Sequence, residues 1–201
     1  MKSQVEIKDK KSIDAMLEKA EYGTLALSHN DRPYSVPINF VFHQDVVYFH
    51  GSKQGRKMDY IRANQYASMS IVEPFSVIPS YFSSTEGLAC PATHFFRSLS
   101  IEGEIEIVTE YDEKVLALQV LMEKFQPEGA YRSLDDKVYK KRVEATEVFK
   151  LIPSDIKGKV KLAQHLPIER FEMILEHLEK RGDILDKLTV LAMKNALRER
   201  A

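Results

Sequence analysis

The sequence predicts a mainly β, α+β fold: a small antiparallel barrel of six strands with short helices around it, then a C-terminal α-helical hairpin. Three observations carry this. β-prone segments with turn residues between them follow one another in hairpin order. The helix-patterned segments among them are short. From Leu166 on, the pattern changes to two amphipathic helices broken at "RGD" (Arg181 to Asp183). The expected division is therefore a barrel domain over residues 1–160 and a helical extension over 161–201.

"SIDAMLEKA" (Ser12 to Ala20) reads as a helix, with Ser12 as cap and Ile13, Met16, Leu17 and Ala20 at helical spacing. "GTLALS" (Gly23 to Ser28) is a strand and "NDRP" a turn. "YSVPINFVF" (Tyr34 to Phe42) is the second strand. Pro37 inside it has no N–H, so that position belongs at an edge, a bulge or a ligand. "VVYFHG" (Val46 to Gly51) follows, then a short helix "GRKMDYIRAN" (Gly55 to Asn64) with Met58 and Ile61 inward. "YASMSIVE" (Tyr66 to Glu73) is a strand.

Pro74 to Thr93 reads as a long loop rich in Pro and Ser, of a length that is often functional or mobile. "FFRSLSIEGEIEIV" (Phe95 to Val108) is a long alternating strand, with Gly103 expected at a bulge. "TEYDEKVLALQVLMEKF" (Thr109 to Phe125) is the clearest helix. Thr109 and Asp112 form a capping-box pattern, and Val115, Leu118, Leu121, Met122 and Phe125 make one face. "VEATEVFKLIP" (Val143 to Pro153) is the last strand. In the tail, Ile168, Phe171, Ile174, Leu175 and Leu178 form one stripe; Ile184, Leu185, Leu188, Leu191 and Ala192 form another. Gly182 suits the C′ position of the first tail helix and Asp183 the N-cap of the second.

At 201 residues, 44% hydrophobic and 29% charged, the composition is that of a soluble globular protein. The formal net charge of −1 excludes a bulk basic field for nucleic acid, so any anion site is local. The single cysteine, Cys90, excludes an internal disulfide framework and fits a reducing cytosol. No apolar core of a signal peptide and no run of roughly 18 apolar residues is present, so the expected location is cytoplasmic. The six histidines show no metal-ligand spacing. Cys90 reads as an inert, partly buried thiol, and His94 as a satisfied or exposed loop residue. Tyr81, Phe82, Phe95 and Phe96 suit core packing as well as a ligand cover.

The chemistry concentrates in "HGSKQGRK" (His50 to Lys57), a strand–turn–helix junction. A phosphate is met by a Lys point charge, an Arg fork and free N–H groups at a helix N-terminus. This stretch supplies all three, and reads equally as a solvated basic turn. Arg97 and Ser98 form a second basic-and-hydroxyl element. A six-stranded barrel is too narrow to enclose a large ligand, which would sit outside it or at a subunit interface.

Taken together, "RPYSVPINFVF", "HGSKQGRKMDYIRAN", "ACPATHFFRSLSIEGEIEIV" and "EKVLALQVLMEKF" resemble, in order and spacing, the pyridoxamine 5′-phosphate oxidase-like, FMN-binding split-barrel proteins, over about Lys11 to Lys159. The resemblance is closest to the nitroimidazole-resistance (Nim) flavoproteins. It implies a six-stranded antiparallel split β-barrel with short peripheral helices and a C-terminal helical hairpin. It also implies a homodimer with FMN in its interface. Lys57, Arg56 and the backbone near Ser52 would hold the phosphate, and Arg97 and Ser98 would contact the phosphate or ribityl chain. Val36, Pro37, Ile38 and Asn39 would lie along the isoalloxazine ring, and His50 and Gly51 would close the pocket. The tail "KVKLAQHLPIERFEMILEHL" is similar to a segment of regulator-like flavin-binding split barrels, with Ala163 for Ser and His165 for Asn; Gln164 is carried over from it.

The implied activity is an FMN-dependent oxidoreductase acting on a small molecule, with NAD(P)H as a candidate electron donor. The flavin brings the redox chemistry, so no acid–base triad is needed. The alternatives are a non-enzymatic flavin-binding sensor or regulator, and a haem protein with His50 or His94 as axial ligand. Neither a membrane nor a nucleic-acid partner is expected.

Overall fold

The computed structural model describes residues 5–198. Among the described residues there are eight strands: β1 (Glu6–Ile7), β2 (Tyr22–His29), β3 (Arg32–Asn39), β4 (Val41–His43), β5 (Val46–Gly51), β6 (Tyr66–Ile78), β7 (Thr93–Ile107) and β8 (Glu147–Lys161). Six helices accompany them: α1 (Lys10–Lys19), α2 (Arg56–Ala63), α3 (Tyr111–Phe125), α4 (Lys140–Ala145), α5 (Ile168–Arg181) and α6 (Ile184–Arg198). Hydrogen-bonded neighbours run β3-β2-β6-β7-β8-β5-β4, and β1 pairs with β8. The antiparallel α+β architecture and the C-terminal hairpin match the sequence expectation, with eight strands where six were expected. One addition is the two-residue β1. The other arises because the expected strand Tyr34–Phe42 breaks at Phe40 into β3 and β4.

That break shapes the barrel. β3 ladders with β2 up to the pair Tyr22↔Asn39, while β4 pairs with β5 from Val41↔Tyr48. The two outermost strands of the path are therefore one residue apart in the chain, joined by a fully buried Phe40. The sheet curls until its ends approach, and β3 touches β5, yet no hydrogen-bonded ladder closes the path. Pro37 lies on β3, an end strand, one of the places that its missing N–H predicts.

The chain divides into two compact units. One holds Asp9–Ile71 and Leu99–Lys157, with Leu17, Leu25, Phe40, Phe49 and Phe149 completely buried. The other holds residues 5–8, Val72–Ser98 and residues 158–198; Phe75, Ile78, Phe95, Phe171, Ile174, Leu178 and Met193 belong to its core. The tail helices thus share a core with the 72–98 segment, and position 160/161 falls inside β8.

Several local expectations are corrected. α1 starts at Lys10 and is capped by Asp9, whose carboxylate accepts from the N–H of Ser12 at 2.8 Å. An Asp one turn upstream outcompetes Ser12 as cap. β6 continues through Pro74 to Ile78, so the expected loop is shorter. A Cβ on Gly103 would collide with the Ile152 carbonyl, so that glycine serves a close approach of β7 to β8. α3 begins after Glu110 without a side-chain cap; of the expected stripe Leu121 is buried, joined by Lys114 and Ala117, while Val115, Leu118 and Met122 are half-buried and Phe125 is exposed.

α6 is turned around. It buries Asp186, Thr189 and Met193 and leaves Ile184, Leu188 and Leu191 exposed. The cause is polar. The Asp186 carboxylate accepts from Ser76 Oγ (2.6 Å), from Arg181 Nε (2.7 Å) and from a terminal guanidinium nitrogen of Arg181 (2.5 Å). Ser76 N–H donates to Thr189 Oγ1 at 3.0 Å. Asp183 N–H donates to Asp186 at 3.2 Å, closing the first turn of α6. Gly182 ends α5 in the left-handed conformation, φ 71°, as expected.

Candidate functional site

β5 ends at Gly51 and α2 begins at Arg56, and the turn between them carries the basic stretch. Gly55 caps α2 with φ 105°, ψ 172°, a conformation for glycine only, and no side chain caps the helix. The first-turn N–H groups therefore lack a protein side-chain acceptor at the cap. Ser52 Oγ accepts from Gln54 N–H at 3.1 Å and shapes the turn.

The three cations of this turn are held differently. Lys53 Nζ donates to the Glu144 carbonyl at 2.8 Å. The exposed Arg56 lays its guanidinium over Tyr34 (4.6 Å to the ring centre) and Tyr60 (5.2 Å), and donates to Tyr60 Oη at 3.2 Å. Lys57 is half-buried and makes no hydrogen bond or ion pair among the described residues. Its ammonium sits 5.5 Å and 5.3 Å from the ring centres of Phe49 and Phe149, which stack on each other at 5.0 Å. A methyl group on Gly51 would run into Lys57 Nζ. Burial lowers the Lys57 pKa below the ordinary lysine value. Burial, and secondarily the Lys57 charge, also lowers that of His50.

On β3, Ile38 is buried and Val36 half-buried, while Pro37 and Asn39 are exposed on the opposite face. Asn39 Nδ2 donates to the Glu21 carbonyl at 3.2 Å. Arg97, Ser98 and Gln164 belong to the other compact unit. Arg97 Nε is paired with the Glu73 carboxylate, and Ser98 is half-buried on β7. Gln164 is occupied locally. Its Oε1 accepts from Leu162 N–H (2.6 Å) and its Nε2 donates to the Val160 carbonyl (3.0 Å), across the left-handed Ala163.

In that same unit Arg170 Nε donates to the Ser83 carbonyl at 2.9 Å, and His94 Nε2 bonds the Phe75 carbonyl at 2.9 Å. Cys90 is exposed rather than partly buried. Phe82 and Phe95 are core residues, whereas Tyr81 is exposed and meets His177 edge-on. Among the described residues, no cluster of three or more His, Cys, Asp or Glu side chains is placed to hold a metal ion.

A cavity of about 450 Å³ in the first unit brings Asn39 and His50 together with residues the sequence reading placed elsewhere or missed. Leu118, Leu121, Met122 and Phe125 of α3 line it, although Leu121 is also part of a buried core cluster and Leu118 packs against that cluster. Tyr139, Arg142, Val143 and Thr146 line it from the segment around α4. This second set has the same i, i+3, i+4, i+7 spacing, a signal that was present in the sequence.

Comparison with known proteins gives one family. The family model described as pyridoxamine 5′-phosphate oxidase matches residues 9–160. No curated protein matches the sequence significantly. Among solved structures, a candidate 5-nitroimidazole antibiotic resistance protein from Bacteroides thetaiotaomicron is similar, with a TM-score of 0.65 and 21% identity over 78% of this chain and 86% of that one. An FAD- and heme-binding protein from Mycobacterium smegmatis gives 0.65 and 21% over 78% and 73%. A flavocytochrome from Azotobacter vinelandii gives 0.63 and 21% over 78% and 69%. At these identities the likeness is one of fold.

Proposed function

Because the chain belongs to the pyridoxamine 5′-phosphate oxidase family, we propose that it is a flavoprotein that binds FMN at the β5–α2 turn. The observation that carries this is Lys57, a partly desolvated cation with no anion of its own, beside a helix N-terminus without a side-chain cap. A phosphate group supplies the missing partner, since it combines charge with several acceptor oxygens. Gly51 leaves room for the ammonium and Gly55 for the sharp entry into α2. Arg56, spread over two tyrosines, adds charge at the rim.

In this reading Val36, Pro37, Ile38 and Asn39 flank the flavin ring. β3 is an end strand, so part of its backbone is free to bond the ring's polar edge. His50 and Gly51 close the pocket. Arg97, Ser98 and Gln164 lie in the other compact unit, where Arg97 is paired with Glu73 and Gln164 keeps the turn at Ala163, and the reading gives them no contact at this turn. The flavin would supply electron transfer to or from a small molecule, with a nicotinamide as candidate donor. The chain's own groups bind, orient and shield it. The reading includes a homodimer with the flavin between subunits. It takes support from the flavin-binding neighbours named above.

The test is the absorbance spectrum of the freshly purified protein, with the released chromophore identified after denaturation. Flavin bands released as FMN support the proposal. FAD, or a Soret band from haem, would replace FMN as the cofactor. A colourless protein that also refuses added FMN would overturn it.

A further inference from the structure

We propose that the cavity between α3 and α4 binds a flat, largely apolar organic molecule carrying one anionic group. The α3 stripe from Leu118 to Phe125 and the facing stripe from Tyr139 to Thr146 have the pattern by which two amphipathic helical faces bury each other. Here they line a half-open cavity of about 450 Å³ instead. Apolar side chains left facing such a space gain from being covered by a guest. The volume and the mainly apolar lining are those of small-molecule sites.

The spacing of the two walls is fixed by polar contacts between them. Lys114, buried one turn before Leu118 on the same face of α3, donates to the Thr146 carbonyl at 3.2 Å and reaches the Glu147 carboxylate at 3.4 Å. The connecting segment is pinned to α3 by Leu134 N–H on Gln119 Oε1 at 3.0 Å. The cavity is thus built into the fold.

The polar groups select the guest. No carboxylate lines the cavity. Arg142 lies on its wall, exposed, and its side chain makes no hydrogen bond or ion pair among the described residues. An arginine can lay its stem along apolar surface and present its fork to solvent or an anion. His50 and Asn39 add further polar groups. One anionic group at Arg142 and an apolar body against α3 satisfy this lining. That the guest exchanges electrons with a flavin rests on the reading above; its binding does not.

The experiment is equilibrium dialysis of the purified full-length protein against 2-naphthoate and its neutral isostere 2-naphthamide. One naphthoate per chain, bound more tightly than the amide, is expected. Arg142→Met removes an exposed charge without touching the core. It should weaken naphthoate about tenfold or more, the scale of a lost charged hydrogen bond, and leave the amide unchanged. Met122→Trp fills the cavity and should abolish both. Failure of the parent protein to bind naphthoate, or an Arg142→Met variant that still prefers it undiminished, overturns the proposal. FMN titration of the same samples separates the two readings. Protein that takes naphthoate but refuses FMN upholds the cavity and sinks the flavin site; the reverse result sinks the cavity alone.

Discussion

Replacing Asp186 by Asn tests whether a buried charge, rather than apolar contact, docks α6. The Asp186 side chain is 1% exposed and accepts from Arg181 and Ser76. The Arg181 bonds, and next those from Ser76 and the Asp183 N–H, hold its pKa down, from 3.8 to about 2, against the opposing effect of burial. One pKa unit corresponds to about 1.4 kcal/mol, so the ionised group contributes about 2.5 kcal/mol at neutral pH. The folded pKa is the lower one. The contribution is therefore complete above pH 3.8 and disappears as pH falls through 2, with about half left at pH 3. Asn keeps the shape and loses the charge. Urea unfolding of the parent and Asp186→Asn proteins should show a gap of about 2–3 kcal/mol at pH 7, shrinking to about 1–1.5 kcal/mol at pH 3. A gap below about 0.5 kcal/mol at pH 7, the noise level of surface substitutions, would refute the reasoning. So would a gap that does not change with pH.

Three further outcomes are expected. Lys57→Gln should weaken FMN by about 1.5–3 kcal/mol in a fluorescence titration, with urea stability held or improved, because a desolvated charge is removed; equal affinity would remove Lys57 from the site. Gly55→Ala should cost about 1–3 kcal/mol of stability, since φ 105° with ψ 172° is open to glycine alone; a thermal melt unchanged from the parent's would contradict that backbone. Lys124 donates to the carbonyls of Leu17, Ala20 and Phe40, and burial lowers its pKa to about 8. Its unfolded value is higher, so folding sheds a proton between about pH 8 and 10.5 and parent stability rises across that window, by about 2–3 kcal/mol. In Lys124→Met this rise should be absent, and a parallel pH profile of the two proteins would sink the assignment.

The hinge was legible because its chemistry is local. Gly51, Gly55 and the residues between and after them state a turn and a helix start within a few positions. What periodicity could not state was the partner of each apolar face. Leu118, Leu121, Met122 and Phe125 recur as a core stripe should, yet of these only Leu121 is buried and the buried set takes in Lys114 and Ala117, because Glu147 and the Thr146 carbonyl can satisfy a buried lysine. α6 is the same lesson in stronger form. Only the distant Ser76 and Arg181 make Asp186 a better inward residue than Leu188. The break at Phe40 carried no Gly or Pro to announce it. For Gln164, the resemblance suggested a ligand contact, while the left-handed Ala163 gave its amide a local task.

The single residue between β3 and β4 also sets a rule for counting. Asn39 is registered against Tyr22 and Val41 against Tyr48. Strand side chains alternate faces, so one residue added or removed at Phe40 forces one of the two ladders to slip, turning its buried set outward. The rest of the circuit has slack, since the Ser83–Ala92 segment and the connection from α3 to α4 can lengthen without disturbing a register. Chains that share this barrel should therefore differ in length at those places and agree, residue for residue, between positions 39 and 41. The junction works as a fixed stitch against which the variable parts of the molecule are measured.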